Sequence, residues 1–318
     1  MMGDAVLVAD IGGTNARFAI AEIKRDCIKI FEPHNFRAED FETVRDAAEA
    51  YLESVSVKPS RACVAVAGPV SNEEIVFTNS HWRFRPGEIK TALGMRDFKV
   101  INDFYALAAG IAFLPSDAFV NVKAGEGDPS APVLVIGPGT GLGQALIVPN
   151  GGARKIVSTE GGHVTFAPRD DEEMAVMQFI AREHPRVSVE RLLSGRGLVN
   201  IHRALCAIEG TQRASLQANE ITAAAIDGSI PIAGKTVDMF CAVLGRVAGD
   251  AVLGTGARGG VVLGGGILPK IRDIFLASTF TEKFLNKGRM QSYIAPVPVK
   301  LIVAQSAALY GAAATLEE

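Results

Sequence analysis

The residues from Val6 to Ile20 and those from Val133 to Ile147 lie over each other without a gap, and few sequence features narrow a chain's possible folds as much as an internal repeat. Both stretches open on Val-Leu-Val, Gly139 falls on Gly12, and Ile147 falls on Ile20. In the first copy the apolar run Val6-Leu7-Val8-Ala9 stops at Asp10, turns through Gly12-Gly13-Thr14-Asn15 and resumes as Phe18-Ala19-Ile20. This pattern predicts a hairpin with a turn that can hold a phosphate, because adjacent glycines leave the backbone open while Thr14 and Asn15 add a hydroxyl and an amide. A glycine-rich turn by itself usually does no more than reverse the chain. The weight therefore rests on the repetition.

Two further pairs of segments follow in the same order. The run Ala62 to Ala67, ending at Gly68-Pro69, is echoed by Gly260 to Leu263, ending in Gly264-Gly265-Gly266. The run Phe98 to Ile101, ending at Asn102-Asp103, is echoed by Val299 to Val303. Continuous apolar runs of this kind are expected of strands covered on both faces. Between them, Phe41 to Leu52 carries apolar Phe41, Val44, Ala48 and Leu52 at helical spacing, and Ala106 to Leu114 reads as a tightly packed helix. A hairpin followed by strand and helix units, occurring twice, predicts an α/β fold of two related domains facing each other across a cleft, where a phosphate-bearing ligand could be gripped from both sides. The expected division is a small domain of residues 1–108 plus 304–318 and a large one of 109–303. The acidic segment Arg169 to Glu173 reads as the solvated start of an amphipathic helix.

Composition removes several function classes. The chain has 318 residues, 48% of them apolar, enough for a well-buried core. A net charge of -3 without a dense basic cluster gives no bulk attraction to nucleic acid or anionic lipid. Cys27, Cys63, Cys206 and Cys241 are far apart, so neither a zinc site nor a disulfide framework is expected. The longest apolar run, Phe104 to Leu114, is too short to span a bilayer, and the chain opens almost directly on its first strand, so a cytoplasmic location is expected. Gly137 to Gly143 lacks the Gly-Lys-Ser/Thr ending of a P-loop and the spacing of a dinucleotide fingerprint, and it leads into another strand. Any phosphate grip there is expected from turn amides and hydroxyls rather than from a helix dipole.

Four motifs, Asp10-Ile11-Gly12-Gly13-Thr14-Asn15-Ala16-Arg17, Ile101-Asn102-Asp103-Phe104, Gly137-Pro138-Gly139-Thr140-Gly141-Leu142-Gly143 and Glu160-Gly161-Gly162-His163, together resemble the bacterial glucokinases, a hexokinase-related family of the actin-like ATPase superfamily. Val189 to Gly195, and Thr78-Asn79 with Trp82, resemble that family's sugar-side segments. The resemblance implies two ribonuclease-H-like domains, ATP and Mg2+, and phosphorylation of glucose at its 6-hydroxyl. A homodimer is the expected assembly. It also implies glucose contacts from Asn79, Asn102, Asp103, Glu160, His163 and Glu190, and an adenosine-side role for Gly264, Gly265 and Gly266. Two departures stand out: Gln305 to Gly311 lacks an Asn-Pro-Gly flavour, and Arg196 stands where relatives often carry proline.

Phosphoryl transfer to an alcohol needs positioning, charge neutralisation and a base for the hydroxyl proton. Asp103, at the end of a buried strand, is the candidate base, with helix capping as the alternative use of Asn102-Asp103. Asp10 has no acidic counterpart in the repeat, where Gly137 takes its place, which points to a separate task such as holding magnesium through water. Asp10, Gly12, Gly13, Thr14 and Asn15 on one side, with Gly139, Thr140 and Gly141 on the other, are the candidate ATP-phosphate contacts. Glu190 could equally serve a helix dipole, and the three glycines at 264–266 could serve close packing. Two other classes compete with a hexose kinase. A sugar-responsive repressor is expected to carry a DNA-binding helix pair before the first strand, and none precedes Val6; a shape-changing ATPase gives no reason for Glu160, His163 and Glu190.

Overall fold

The first strand is built from a run of β-branched and small apolar residues that needs cover on both sides, and it receives it. The computed structural model describes residues 5–24, 27–68, 70, 73–77, 81–211 and 216–317. Strands β1 (Ala5–Ile11), β2 (Asn15–Lys24), β3 (Cys27–Arg37), β4 (Arg61–Val66) and, after the short pair β5 (Ile75–Val76) and β6 (Arg83–Phe84), β7 (Asp97–Asn102) form one sheet in the order β3-β2-β1-β4-β7, with β5 and β6 pairing separately. Helices α1 (Val44–Ser54), α2 (Pro86–Ala92) and α3 (Asp103–Gly110) alternate with them. One face of the sheet packs Leu7, Ala9, Phe18 and Ile20 against Val44, Ala48, Tyr51 and Trp82. The other packs Val6, Val8, Ala19 and Cys63 against Leu309, Ala312 and Ala313 of the last helix.

The second sheet has the order β11-β10-β9-β12-β13-β8, from β8 (Phe119–Lys123), β9 (Val133–Pro138), β10 (Leu142–Asn150), β11 (Ala153–Thr159), β12 (Gly260–Leu263) and β13 (Val299–Ile302). Its helices are α4 (Asp171–Ala181), α5 (Gly195–Ile208), α6 (Ala218–Asp227), the 25-residue α7 (Pro231–Thr255), α8 (Arg272–Ala277), α9 (Phe280–Leu285) and α10 (Gln291–Ile294). A core of Leu134, Ile136, Leu198, Phe240, Leu263 and Phe284 lies among them. By contacts the chain divides into two units, residues 1–118 with 304–318, and 119–303. The first unit thus runs ten residues past the expected end at 108, because α3 packs on α11 (Ala307–Ala314) and the chain leaves the unit only at the start of β8.

The five shared strand positions recur in the two sheets, but the hairpins are not superimposable residue for residue. Ile11 pairs with Ala16, leaving four residues in the first turn, whereas Pro138 pairs with Leu142, leaving three in the second. The gapless overlay therefore fails in the second strand. Paired residues of antiparallel strands share a face, so Leu146 opposite Leu134 takes the place of Ile20 opposite Leu7. A gapless overlay would have put Ile147 there and turned the apolar set away from its core.

Two other expectations change. The helix expected from Phe41 starts at Val44, since Thr43 and Asp46 form a capping box that fixes its first turn. Glu173 is not part of a solvated start: it is 3% exposed and forms an ion pair with Arg246 of α7, while its second oxygen accepts the Arg169 amide at 2.9 Å. Burial pushes the Arg246 guanidinium below its ordinary pKa. Asp170 caps the same helix by accepting the Glu173 amide at 2.8 Å. Among the described residues no helix is long and apolar enough to cross a membrane.

Candidate active site

In the first unit, the parallel register Ile11–Val66–Asn102 sets the carboxyl ends of β1, β4 and β7 side by side. This is the edge of a parallel sheet where α/β proteins bind ligands. Asp10 at the end of β1 and Asp103 just beyond β7 are separated by one strand, about 10 Å at the usual strand spacing. Asn102 is the N-cap of α3: its Oδ1 accepts the amides of Phe104 at 2.9 Å and Tyr105 at 3.1 Å, and its Nδ2 donates to the Gly68 carbonyl at 3.2 Å. The capping alternative therefore applies to Asn102. Asp103 is the first residue of the helix, half-buried, with Oδ1 accepting the adjacent Phe104 amide at 2.9 Å.

Asp10 faces Arg17 across the hairpin, with Oδ2 3.9 Å from the guanidinium, and Arg17 also donates to the Gln305 carbonyl. Burial raises the Asp10 carboxyl above its ordinary pKa, and the Arg17 charge opposes that rise. Its side chain is nevertheless 30% exposed, so one face is open to a ligand. The Gly12 amide is spent inside the turn on the Asn15 carbonyl at 2.9 Å, and the second hairpin repeats this, Gly139 donating to Gly141 at 2.8 Å. Among the described residues, the amides of Gly13, Thr14, Thr140 and Gly141 donate to no protein acceptor. These are the donors left for an anion.

In the second unit the site residues gather around Leu142. Its amide donates to Glu190 Oε2 at 2.8 Å. A Cβ on Gly162 would stand 2.3 Å from its carbonyl, and one on Gly161 would collide with the Gln144 side chain, so both glycines let the Glu160–His163 turn lie on β10. That is a packing reason for the glycines, and it leaves Glu160 and His163 projecting, with side chains 73% and 56% exposed and Oε2 to Nε2 at 3.8 Å. Arg186 fixes the turn by donating to the His163 carbonyl at 2.6 Å. Glu190, in a single 3-10 turn, points its carboxylate at the Gly139–Gly141 turn rather than at a helix end. The same turn also leans on a helix start, since the Gly195 amide at the head of α5 donates to the Gly139 carbonyl at 2.9 Å.

Gly137, the counterpart of Asp10, has no room for a side chain: its Cβ would lie 2.2 Å from the Gly264 carbonyl. Gly265, at φ +83°, presses equally on Pro138. Close packing is thus one use of the triple glycine, and it brings residues 264–265 against the start of the Gly139–Gly141 turn. Asn79 lies outside the described residues. Trp82 is a core residue, 1% exposed, with Nε1 donating to the Phe41 carbonyl at 3.1 Å. Sequence reasoning assigned no role to Leu142, Ser194 or Gly195: the first and last contribute backbone N–H groups, which any residue supplies, while Ser194 is an N-cap that its residue type could have signalled. Among the described residues no group of three or more His, Cys, Asp or Glu could hold a metal ion unaided.

The model of the glucokinase family matches residues 7–318. A glucokinase of Marinobacter nauticus is 44% identical over 311 residues, covering 98% of this chain and 96% of that protein. The crystal structure of a glucokinase from an Antarctic psychrotroph aligns with a TM-score of 0.86 and 39% identity over 99% of both chains. A glucokinase from Balamuthia mandrillaris, solved in complex with glucose, shares the fold at a TM-score of 0.82 and 23% identity, covering 97% of this chain and 92% of that one.

Proposed function

The chain belongs to the glucokinase family, and from that premise we propose that it transfers the terminal phosphoryl group of ATP to the 6-hydroxyl of glucose, giving glucose 6-phosphate and ADP. The observation that carries the reading is the meeting, at Leu142, of a turn with unspent amides and two carboxylates beside a histidine. One half suits an anion, and the other suits a ligand rich in hydroxyls, which is discriminated by satisfied hydrogen bonds.

The chemistry follows from the residues. The 6-oxygen attacks the γ-phosphorus, the bond from that phosphorus to the β–γ bridging oxygen breaks, and ADP leaves with the electron pair. The hydroxyl proton passes to the carboxylate of Asp103, whose place at the end of β7 suits a base presented at the sheet edge. Asn102, locked as the cap of α3, fixes the backbone from which Asp103 projects. Glu160, His163 and Glu190 hold and orient the sugar, with Asn79 added on the strength of the resemblance alone. Gly13, Thr14, Thr140 and Gly141 supply amides to the phosphates; Gly12 and Gly139 shape the turns that expose them, while Asn15 and Thr140 add polar side chains. Gly264, Gly265 and Gly266 border the adenosine.

A magnesium ion suits this arrangement, since the ion prefers oxygen donors and keeps much of its water, and Asp10 offers one partly open carboxylate. When bound, it would neutralise charge on the phosphates. The matching strand orders of the two sheets support the finer reading of the fold, two ribonuclease-H-like domains of the actin-like ATPase type. A cytoplasmic homodimer that binds neither nucleic acid nor membrane completes the proposal.

The test is a coupled assay of ADP release with glucose, fructose, mannose and no sugar. ADP should appear only with sugar and fastest with glucose; hydrolysis that ignores sugar would overturn the reading in favour of a shape-changing ATPase.

A further inference from the structure

Residues 189–195 grip the Gly139–Gly141 turn at both of its ends. Glu190 Oε2 accepts the Leu142 amide at 2.8 Å just after the turn, and the Gly195 amide reaches the carbonyl of its first residue, Gly139, at 2.9 Å. The fit is close, for a Cβ on Gly141 would stand 2.4 Å from Glu190 Oε2. The glutamate is itself held. Ser194 Oγ donates to the Glu190 carbonyl at 2.9 Å and accepts the Gly197 amide at 3.0 Å, which ties the 3-10 turn carrying Glu190 to the head of α5.

The geometry points to Glu190 as a positioning residue for the phosphate turn, one carboxylate oxygen fixing the Leu142 N–H while the other is left for the sugar. This rests on the kinase reading and deepens it. A carboxylate accepting an amide makes a charge-assisted bond, and Leu142 is buried, so losing the acceptor leaves a costly unmet donor. Thr140 and Gly141, whose amides are open to an anion, immediately precede that donor, and their orientation follows from it. Sugar that engages Glu190 then stiffens the nucleotide side of the same turn. Because such coupling is reciprocal, nucleotide tightens sugar binding by an equal factor.

The test measures the affinity of a non-hydrolysable ATP analogue with magnesium in the absence of any sugar, for the wild type, Glu190→Ala and Glu190→Gln, with glucose affinity measured separately. A structural check by thermal melting accompanies each variant. E190A should weaken the analogue about tenfold, the scale of one hydrogen bond to a charged group. E190Q, whose amide oxygen can still accept from Leu142, should stay within about threefold of wild type, although both variants weaken glucose. Gly141→Ala, with its Cβ pushing the carboxylate aside, serves in place of E190A if that variant does not fold, and should lose the same coupling between glucose and analogue. Unchanged analogue affinity in E190A, or an equal loss in E190A and E190Q, would overturn the inference. Those outcomes in a wild type that phosphorylates glucose leave the kinase reading intact, whereas a wild type inactive on every sugar defeats the kinase reading itself.

Discussion

Asp103 and Asp128 show how two aspartates take opposite parts in one chain. Asp103 stands at a sheet edge, and on the proposal that it is the base, Asp103→Ala is expected to bind glucose while turnover falls by roughly two to four orders of magnitude, the usual range for removing a general base. Steady-state kinetics beside direct glucose binding checks this, and near-normal turnover would remove the assignment. Asp128 is structural: its carboxylate accepts the Ser130 hydroxyl and amide and pairs with Arg258 at 2.6 Å, which together hold its pKa below the ordinary value. A group whose folded pKa is depressed stabilises the fold above its unfolded pKa and loses that contribution as the pH falls through the folded one. Asp128→Asn should therefore melt below the wild type at neutral pH, with the gap closing once the pH drops below about 4. Melting curves across that range decide it. The candidate side chains Asp10, Asp103, Glu160, His163 and Glu190 could be picked from the sequence because they stand in motifs that resemble those of a known family, and the structure sets Glu160, His163 and Glu190 around Leu142. The backbone donors of Leu142 and Gly195 could not be, since any residue supplies an N–H.

Among the elements, α3 and α11 cross where neither carries a large side chain. A Cβ on Gly311 would lie 1.6 Å from the Ala106 carbonyl, and one on Gly110 would lie 2.4 Å from the Ala307 carbonyl. Gly311→Ala should accordingly cost about 1–3 kcal/mol or somewhat more, as overpacking does, and should lower the urea midpoint without changing its slope. The same change would disturb the helix that begins at Asp103, so its effect on turnover is expected to exceed that of an equally destabilising change in α4. Strands were legible at this scale because buried parallel strands read as unbroken apolar runs, and their recurrence in both sheets followed from the repeat. The hairpin register was not. A turn of three residues and one of four both appear as glycine beside threonine, and only the pairing of Pro138 with Leu142 distinguishes them. Glu173 misled for a related reason: an acidic helix start looks solvated until Arg246, far along the chain, is brought beside it.

For the whole molecule, two units with separate apolar cores predict unfolding that is not two-state. Calorimetry should give a van't Hoff enthalpy below the calorimetric one, and glucose at about a hundred times its dissociation constant should add roughly 2.7 kcal/mol to the part of the transition that binds it. Coincident enthalpies would show a single cooperative unit instead. That the chain would make two related α/β units was readable from the doubled hairpin, but the end of the first unit was not, because it depends on α3 preferring α11 to anything nearer in sequence. The asymmetry between the hairpins carries one more consequence. The two turns differ in length, yet each leaves two amides unspent, and those amides alone do not say beside which turn a carboxylate belongs. On the reading that Asp10 faces the ion, the choice is made by a steric collision: Gly264 lies so close to Gly137 that no carboxylate could ever be installed there. On that reading, a backbone with no charge of its own confines the ion-holding carboxylate to one hairpin, barring it from the other by shape.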